Sequence, residues 1–383
     1  MEWQGVKMLV VLFCAIALAV LVRATPEWSF DVVCYDGVAR IWLGETPAQA
    51  HANVYRELAS TAPSADAHAI TSLSEYRETV ATSVEAFMVQ LPIAAVKPLY
   101  VLLVAAVVKF GGNGIAAAFQ ISAVAYGCFA ALVLLSLIRV TSFWPAMSIG
   151  LALLLSPPFL EVGRLPTPDA LSACIVFAGF HALVVAGWQR VGATLLLLSI
   201  AARPNNLILW LAVASWCWWR DRSARRSSLL GGGLGTVVYL SLNRLTGGYS
   251  WGVLFTHAYI RRLTDVASVR SDVTWSRYAD TLLPGLAGAN VLYPSGILFF
   301  VVVSALGFLT VRNGRNSVAE RSAAGLVLFL WSALLVHFVA FPMLADRFFM
   351  SYYTCITVLT VSMVASVRKA GDLPGVAGAI ASV

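Results

Sequence analysis

Charge is what this chain has least of: Asp, Glu, Lys and Arg make up 12% of its 383 residues, against 59% hydrophobic residues. A soluble domain carries about a quarter charged residues, so the composition excludes a soluble globule and points to lipid as the main solvent. The six cysteines form no CxxC or Cys/His pair, and Cys14, Cys128, Cys174, Cys217 and Cys355 fall inside apolar runs as small hydrophobes. That pattern excludes a zinc site of ordinary spacing and a disulfide framework. The net charge of +7 is scattered through short loops and makes no basic face, so nucleic acid is not an expected partner. No repeat, low-complexity stretch or second domain divides residues 1–383, which read as one unit.

What is present in quantity is the apolar run. Ten occur, at 6–22, 115–138, 142–156, 170–186, 191–201, 207–219, 228–242, 292–311, 323–341 and 348–367. About 20 apolar residues span a bilayer as a helix, and a spanning backbone must satisfy its own hydrogen bonds. The expectation is an all-α, polytopic transmembrane bundle of about ten crossings. The run at 92–110 carries Lys97 and Lys109 and reads as a partly embedded lead-in to the second crossing. The first run has a single Lys7 at its start and ends at Val22-Arg23-Ala24. A signal anchor fits it better than a cleaved signal peptide, since the run is long for a signal sequence and removal would leave an odd number of crossings.

With both termini in the cytoplasm, the inner loops hold Arg139, Arg190, the cluster Arg220, Arg222, Arg225 and Arg226, then Arg312, Arg315, Arg321, Arg368 and Lys369, as short basic loops should. Most acids then fall outside. Two outer loops are long, 23–91 and 246–293, and the second has enough Trp and Tyr to lie on the interface as amphipathic helices. The chain is therefore expected in the cell inner membrane with its functional surface on the periplasmic or extracellular face.

Several polar residues converge on that face. Cys34-Tyr35-Asp36-Gly37 lies about a dozen residues past the first crossing, with Asp31 just before it; Gly37 would let the backbone turn beside the carboxylate. A solvated loop acid is the plainer reading of Asp36. The third crossing stops at Ser156-Pro157-Pro158, and Asp169 opens the fourth, where helix capping alone explains a carboxylate. Glu161 and Arg164, three apart, form either an ion pair or an anion site. Arg203, in Arg203-Pro204-Asn205, breaks an apolar run and needs an anion or water there; phosphate suits its planar fork. Asp346-Arg347 opens the last crossing, where a salt bridge or an interfacial anchor is the plainer alternative. His257 is a candidate ligand or acid, against a surface histidine.

In order and spacing these features resemble the GT-C integral-membrane glycosyltransferases, in the branch of the protein O-mannosyltransferases and lipid A aminoarabinose transferases. The resemblance covers about residues 28–206: Tyr35-Asp36-Gly37 for the first-loop aspartate, Lys97-Pro98-Leu99-Tyr100 at the loop's end, Ser156-Pro157 through Asp169, and Arg203-Pro204, with a weaker echo at 346–353. It implies a GT-C-like fold and a polyprenyl-phosphate sugar donor used outside. Asp36, or its neighbour Asp31, would be the base toward an acceptor hydroxyl, with inversion at the sugar carbon. Lys97, Glu161, Arg164, Asp169, Arg203, Asp346, Arg347 and His257 would bind substrate. Relatives often carry two adjacent acids where Gly37 follows Asp36 here, so the partner acid is left open, as is a divalent metal held by Asp36 and another acid. The acceptor, whether glycan, lipid or protein, is not implied. The competing expectation is a secondary transporter or flippase for a lipid-linked or polar substrate, which tends to place ionisable groups at mid-membrane.

Overall fold

Long apolar segments and side-chain caps account for most of the helices in the computed structural model, which describes residues 2–292, 304–305, 318–342 and 346–371. Helix α1 (Glu2–Ala24) is followed by five short helices, α2 (Asp31–Trp42), α3 (Pro47–Thr61), α4 (Ser64–Ser72), α5 (Glu75–Thr82) and α6 (Val84–Ala95). Thr46 and Gln49 close a capping box at the start of α3, with Pro47 in its first turn; Ser74 and Ser83 cap α5 and α6. The first long loop is thus a folded helical layer. Its core joins Val33, Tyr35, Val54, Leu58, Ile70, Phe87 and Tyr100. The expected turn at Gly37 does not form: the residue lies inside α2, where a Cβ would stand 2.5 Å from the Phe87 ring. Close packing of α6 on α2 therefore explains this glycine.

Helix α6 meets α7 (Pro98–Lys109) at a bend of 118°. Pro98 cannot continue the preceding helix and is well placed in a first turn, so the chain breaks at Lys97. The segment expected to be partly embedded is this bent pair. Helix α8 (Gly114–Val140), capped by Asn113, is the axis of the molecule; α1, α2, α3, α7 and the next three helices all pack on it. Gly127 lets α1 approach closely, since a Cβ there would lie 2.9 Å from that of Ala19. Helices α9 (Phe143–Leu154) and α10 (Pro157–Arg164) form a second bent pair, at 65°. Next come α11 (Asp169–Phe180), which continues as a π-turn over His181–Val185, α12 (Gln189–Ala202), α13 (Asn206–Arg220) and α14 (Arg225–Leu245).

The second long loop holds the short α15 (Trp251–Phe255), a π-turn at Thr256–Ile260 and a helix with an exposed Trp275, α16 (Trp275–Leu292). The expected crossing at 292–311 lies almost wholly outside the described residues. Helices α17 (Val318–Ala340) and α18 (Met350–Gly371) complete the bundle. Among the described residues, three helices are long and apolar enough to cross a membrane, or five spans if each bent pair counts as one. Exposed Leu9, Phe13, Leu230 and Leu245 are the apolar surface such a bundle offers to lipid.

Candidate functional site

Helix α2 sorts the two candidate carboxylates. Asp31 and Asp36 are five positions apart, which at 3.6 residues per turn separates them by about 140° around the axis. Asp36 turns inward and is wholly buried. Arg40, one turn on, donates from Nε to Asp36 Oδ2 at 3.2 Å, from Nη1 to Glu45 at 3.0 Å and from Nη2 to Glu57 at 2.5 Å. Glu57 also accepts the backbone N–H of Gly114 at 2.8 Å, and Glu45 accepts from Asn53 at 2.9 Å. A Cβ at position 114 would overlap Asp36 Oδ1, so the carboxylate sits hard against the start of α8. Burial pushes the Asp36 carboxyl up to about 7, with Arg40 opposing and Glu57 reinforcing. These contacts make Asp36 part of a joint between α2, α3 and α8.

The other face of α2 carries Asp31 and Tyr35, one turn apart. Lys97, at the break between α6 and α7, donates to the Tyr35 hydroxyl at 3.0 Å and lies 5.2 Å from the centre of its ring. Asp31 makes no side-chain hydrogen bond or ion pair among the described residues, although its charge acts on Lys97 and Arg347. The electrostatic neighbours of Arg347 are Asp169, Asp31 and Glu161, whereas those of Asp36 are Arg40, Glu57 and Glu45. The structure thus assembles two separate charged groups: Asp36 belongs with Arg40, Glu45 and Glu57, and Asp31 with Arg347, Asp169 and Glu161.

That group is built from helix ends. Asp169 starts α11 and accepts from Thr167 at 2.8 Å. Arg203, at the end of α12, forms an ion pair with Asp169, so the anion that a buried arginine requires is supplied by the protein. Phe348 lies between two guanidinium groups, with Arg203 4.4 Å and Arg347 5.1 Å from its ring centre. Asp169, Ser172, Arg203, Asn205, His337 and Arg347 line a small cavity of about 10 Å³, room for about one water. The Nε–H groups of Arg347 and Arg164 are buried and have no hydrogen-bond partner among the described residues. A buried donor left unmet costs about 1–3 kcal/mol or more when charged, so each of these two is open to an acceptor, and the helix that carries Arg164 packs on the turn that carries Arg347.

His257 stands at the edge of the group. Its Nδ1 accepts the backbone N–H of Leu263 at 3.3 Å, and its ring meets Tyr76 edge-on at 5.9 Å. Burial, with Arg262 next, lowers its pKa to about 4, so it is a neutral ring whose Nε2 carries the hydrogen. It is half-buried rather than a free surface residue. The side chain of Asp346 lies outside the described residues. No three His, Cys, Asp or Glu side chains among the described residues are arranged to hold a metal, and the carboxylates beside Asp36 are already gathered by Arg40.

Sequence reasoning missed Arg40, Glu45 and Glu57, although Arg40 stands four residues after Asp36, the spacing of a helical ion pair. It also missed Asn205 and Phe348, for which no local signal exists. Compared with known proteins, the chain matches no family model, no curated protein and no solved structure.

Proposed function

We infer that the chain is a membrane glycosyltransferase moving a sugar from a polyprenyl-phosphate donor to an acceptor hydroxyl, on the non-cytoplasmic face of the cell inner membrane. The observation that carries this reading is the uncommitted Asp31 carboxylate among the charges that act on Arg347, whose buried Nε–H is unmet, as is that of Arg164. Asp31 takes the proton of the acceptor hydroxyl, whose oxygen bonds to the anomeric carbon. The bond from that carbon to the phosphate oxygen breaks, and the phosphate leaves with the electron pair. Charge growing on the leaving phosphate is met by the two arginines, which stabilise the transition state more than the ground state. One displacement inverts the sugar carbon. Asp169 holds Arg203 in place, and Lys97 orients Tyr35 on the Asp31 side.

Membranes supplied with a labelled polyprenyl-phosphate sugar test this. Asp31→Asn lowers transfer by about 100-fold or more, the usual contribution of a positioned base, while Asp36→Asn keeps it at the wild-type level. Full transfer by the Asp31 variant at normal expression would remove that residue from the role, and a wild-type chain that neither binds nor consumes the donor would end the whole reading.

A second reading, a transporter for an anionic amphiphile, is favoured by the two broken helix pairs, one with Lys97 at its break. Transporters build binding sites on interrupted helices. Sealed vesicles separate the two: an enzyme leaves the label covalently on an acceptor, whereas a transporter moves it across unchanged.

A further inference from the structure

A second cavity opens where α8 ends, between the π-turn that follows α11 and the middle of α18. Its volume is about 370 Å³, more than twice that of an engineered apolar cavity of about 150 Å³ that stays dry and takes up benzene. Phe180, Val184, Val185, Val358 and Leu359 form the walls, and Arg139 stands at the mouth. The π-turn at His181–Val185 sets the wall: an inserted residue widens the helix there, and such bulges cluster at functional places. Ser136 of α8 holds it through a 2.6 Å hydrogen bond with His181 Nδ1.

Arg139 makes no ion pair or hydrogen bond among the described residues, and the neighbouring titratable group, His181, offers it no negative charge. This cavity is distinct from the Asp31–Arg347 group, lying seven or more residues further along both α11 and α18. Buried Phe177 and Cys355 fill the seam between them.

An apolar chamber with one unmatched guanidinium at its mouth fits an amphiphile with hydrocarbon chains and an anionic head. We propose that Arg139 and this chamber bind one anionic phospholipid, with the phosphate on the guanidinium and an acyl chain against Phe180, Val184 and Leu359. A free phosphate would satisfy the arginine but not the walls; a zwitterionic lipid would fill the walls but bring no net charge.

The test is native mass spectrometry of the full chain released from nanodiscs of phosphatidylglycerol or of phosphatidylcholine alone. Wild-type chain is expected to retain one phosphatidylglycerol under detergent washing that strips phosphatidylcholine. Arg139→Gln should lower that retention by about fivefold, the worth of one interfacial cation, and Arg139→Lys should restore most of it. Val184→Trp, which fills the chamber, should lower it as well. Arg139 is exposed, so its variants keep the fold, which an unchanged melting temperature verifies. Equal retention of the two lipids, or unchanged retention in Arg139→Gln, overturns the proposal. Displacement of the lipid by inorganic phosphate would reassign the site to a free anion and overturn it too.

Discussion

Replacing Arg347 with alanine is expected to lower sugar transfer by about 100- to 1,000-fold, the usual cost of removing one preorganised donor from a developing oxyanion. The residue is positioned for that effect by three features. Its backbone belongs to the short 3₁₀ turn at Asp346–Phe348, immediately before α18. Its guanidinium faces the negative groups Asp169, Asp31 and Glu161, and Phe348 shields one side of it. Its Nε–H is buried without a partner among the described residues, so a donor is in place before any ligand arrives. Because the charge on the phosphate grows as the bond breaks, the loss should fall on kcat more than on KM. Arg347→Lys should recover little, since a point charge cannot present the same fork of donors. A variant that transfers sugar at the wild-type rate, at normal expression, would remove Arg347 from the phosphate.

The second large effect concerns stability. Arg40→Ala is expected to cost about 3–5 kcal/mol of folding free energy, because it leaves Asp36, Glu45 and Glu57 facing one another around an empty centre. Thermal unfolding in detergent reads the loss directly. The same joint confers a pH dependence whose sign follows from burial. The folded chain holds the Asp36 proton up to about pH 7, whereas an unfolded aspartate gives it up near 3.9. The protonated carboxyl therefore contributes stability that is fully present below the ordinary carboxylate range and is lost as pH rises through about 7. Melting temperature should lose this contribution between about pH 4 and pH 7 in the wild type, and Asp36→Asn, neutral throughout, should flatten that fall. An unchanged slope in the asparagine variant would show that Asp36 does not carry it.

The longest helices were legible, since the apolar runs at 115–138 and 323–341 match α8 and α17 with small changes at their ends, but against ten expected crossings the described residues hold three to five candidate spans. Also legible was the opening of α11 at Asp169, which follows two prolines and a Pro168 that cannot extend the helix before it. The need of Arg203 for an anion was also readable, although the answer, Asp169, lies 34 residues away. What could not be read was the inside of the first long loop. Nothing local distinguishes a loop acid from a core one, and Asp36 is buried only because α3 brings Glu57 and α8 brings Gly114 against it. A turn at Gly37, the expectation from the sequence, hides the helical phase that separates Asp31 from Asp36. The bend at Lys97 was half visible, in Pro98, but its 118° angle depends on how α6 and α7 pack on α2.

The apolar stretches that begin or end at Asp169 and Arg203 are short: Asp169–Val185 and Gln189–Ala202 run to no more than 17 residues. At 1.5 Å per residue the longer reaches about 25 Å, against a hydrocarbon layer about 30 Å thick. Wherever these two cross, the surrounding lipid must dimple inward by several ångström, at a cost of a fraction of a kcal/mol for each. The dimple would lower the water boundary beside Arg203 and Arg347, and under the proposed function it would shorten the climb of a lipid-borne headgroup from its leaflet to reach them.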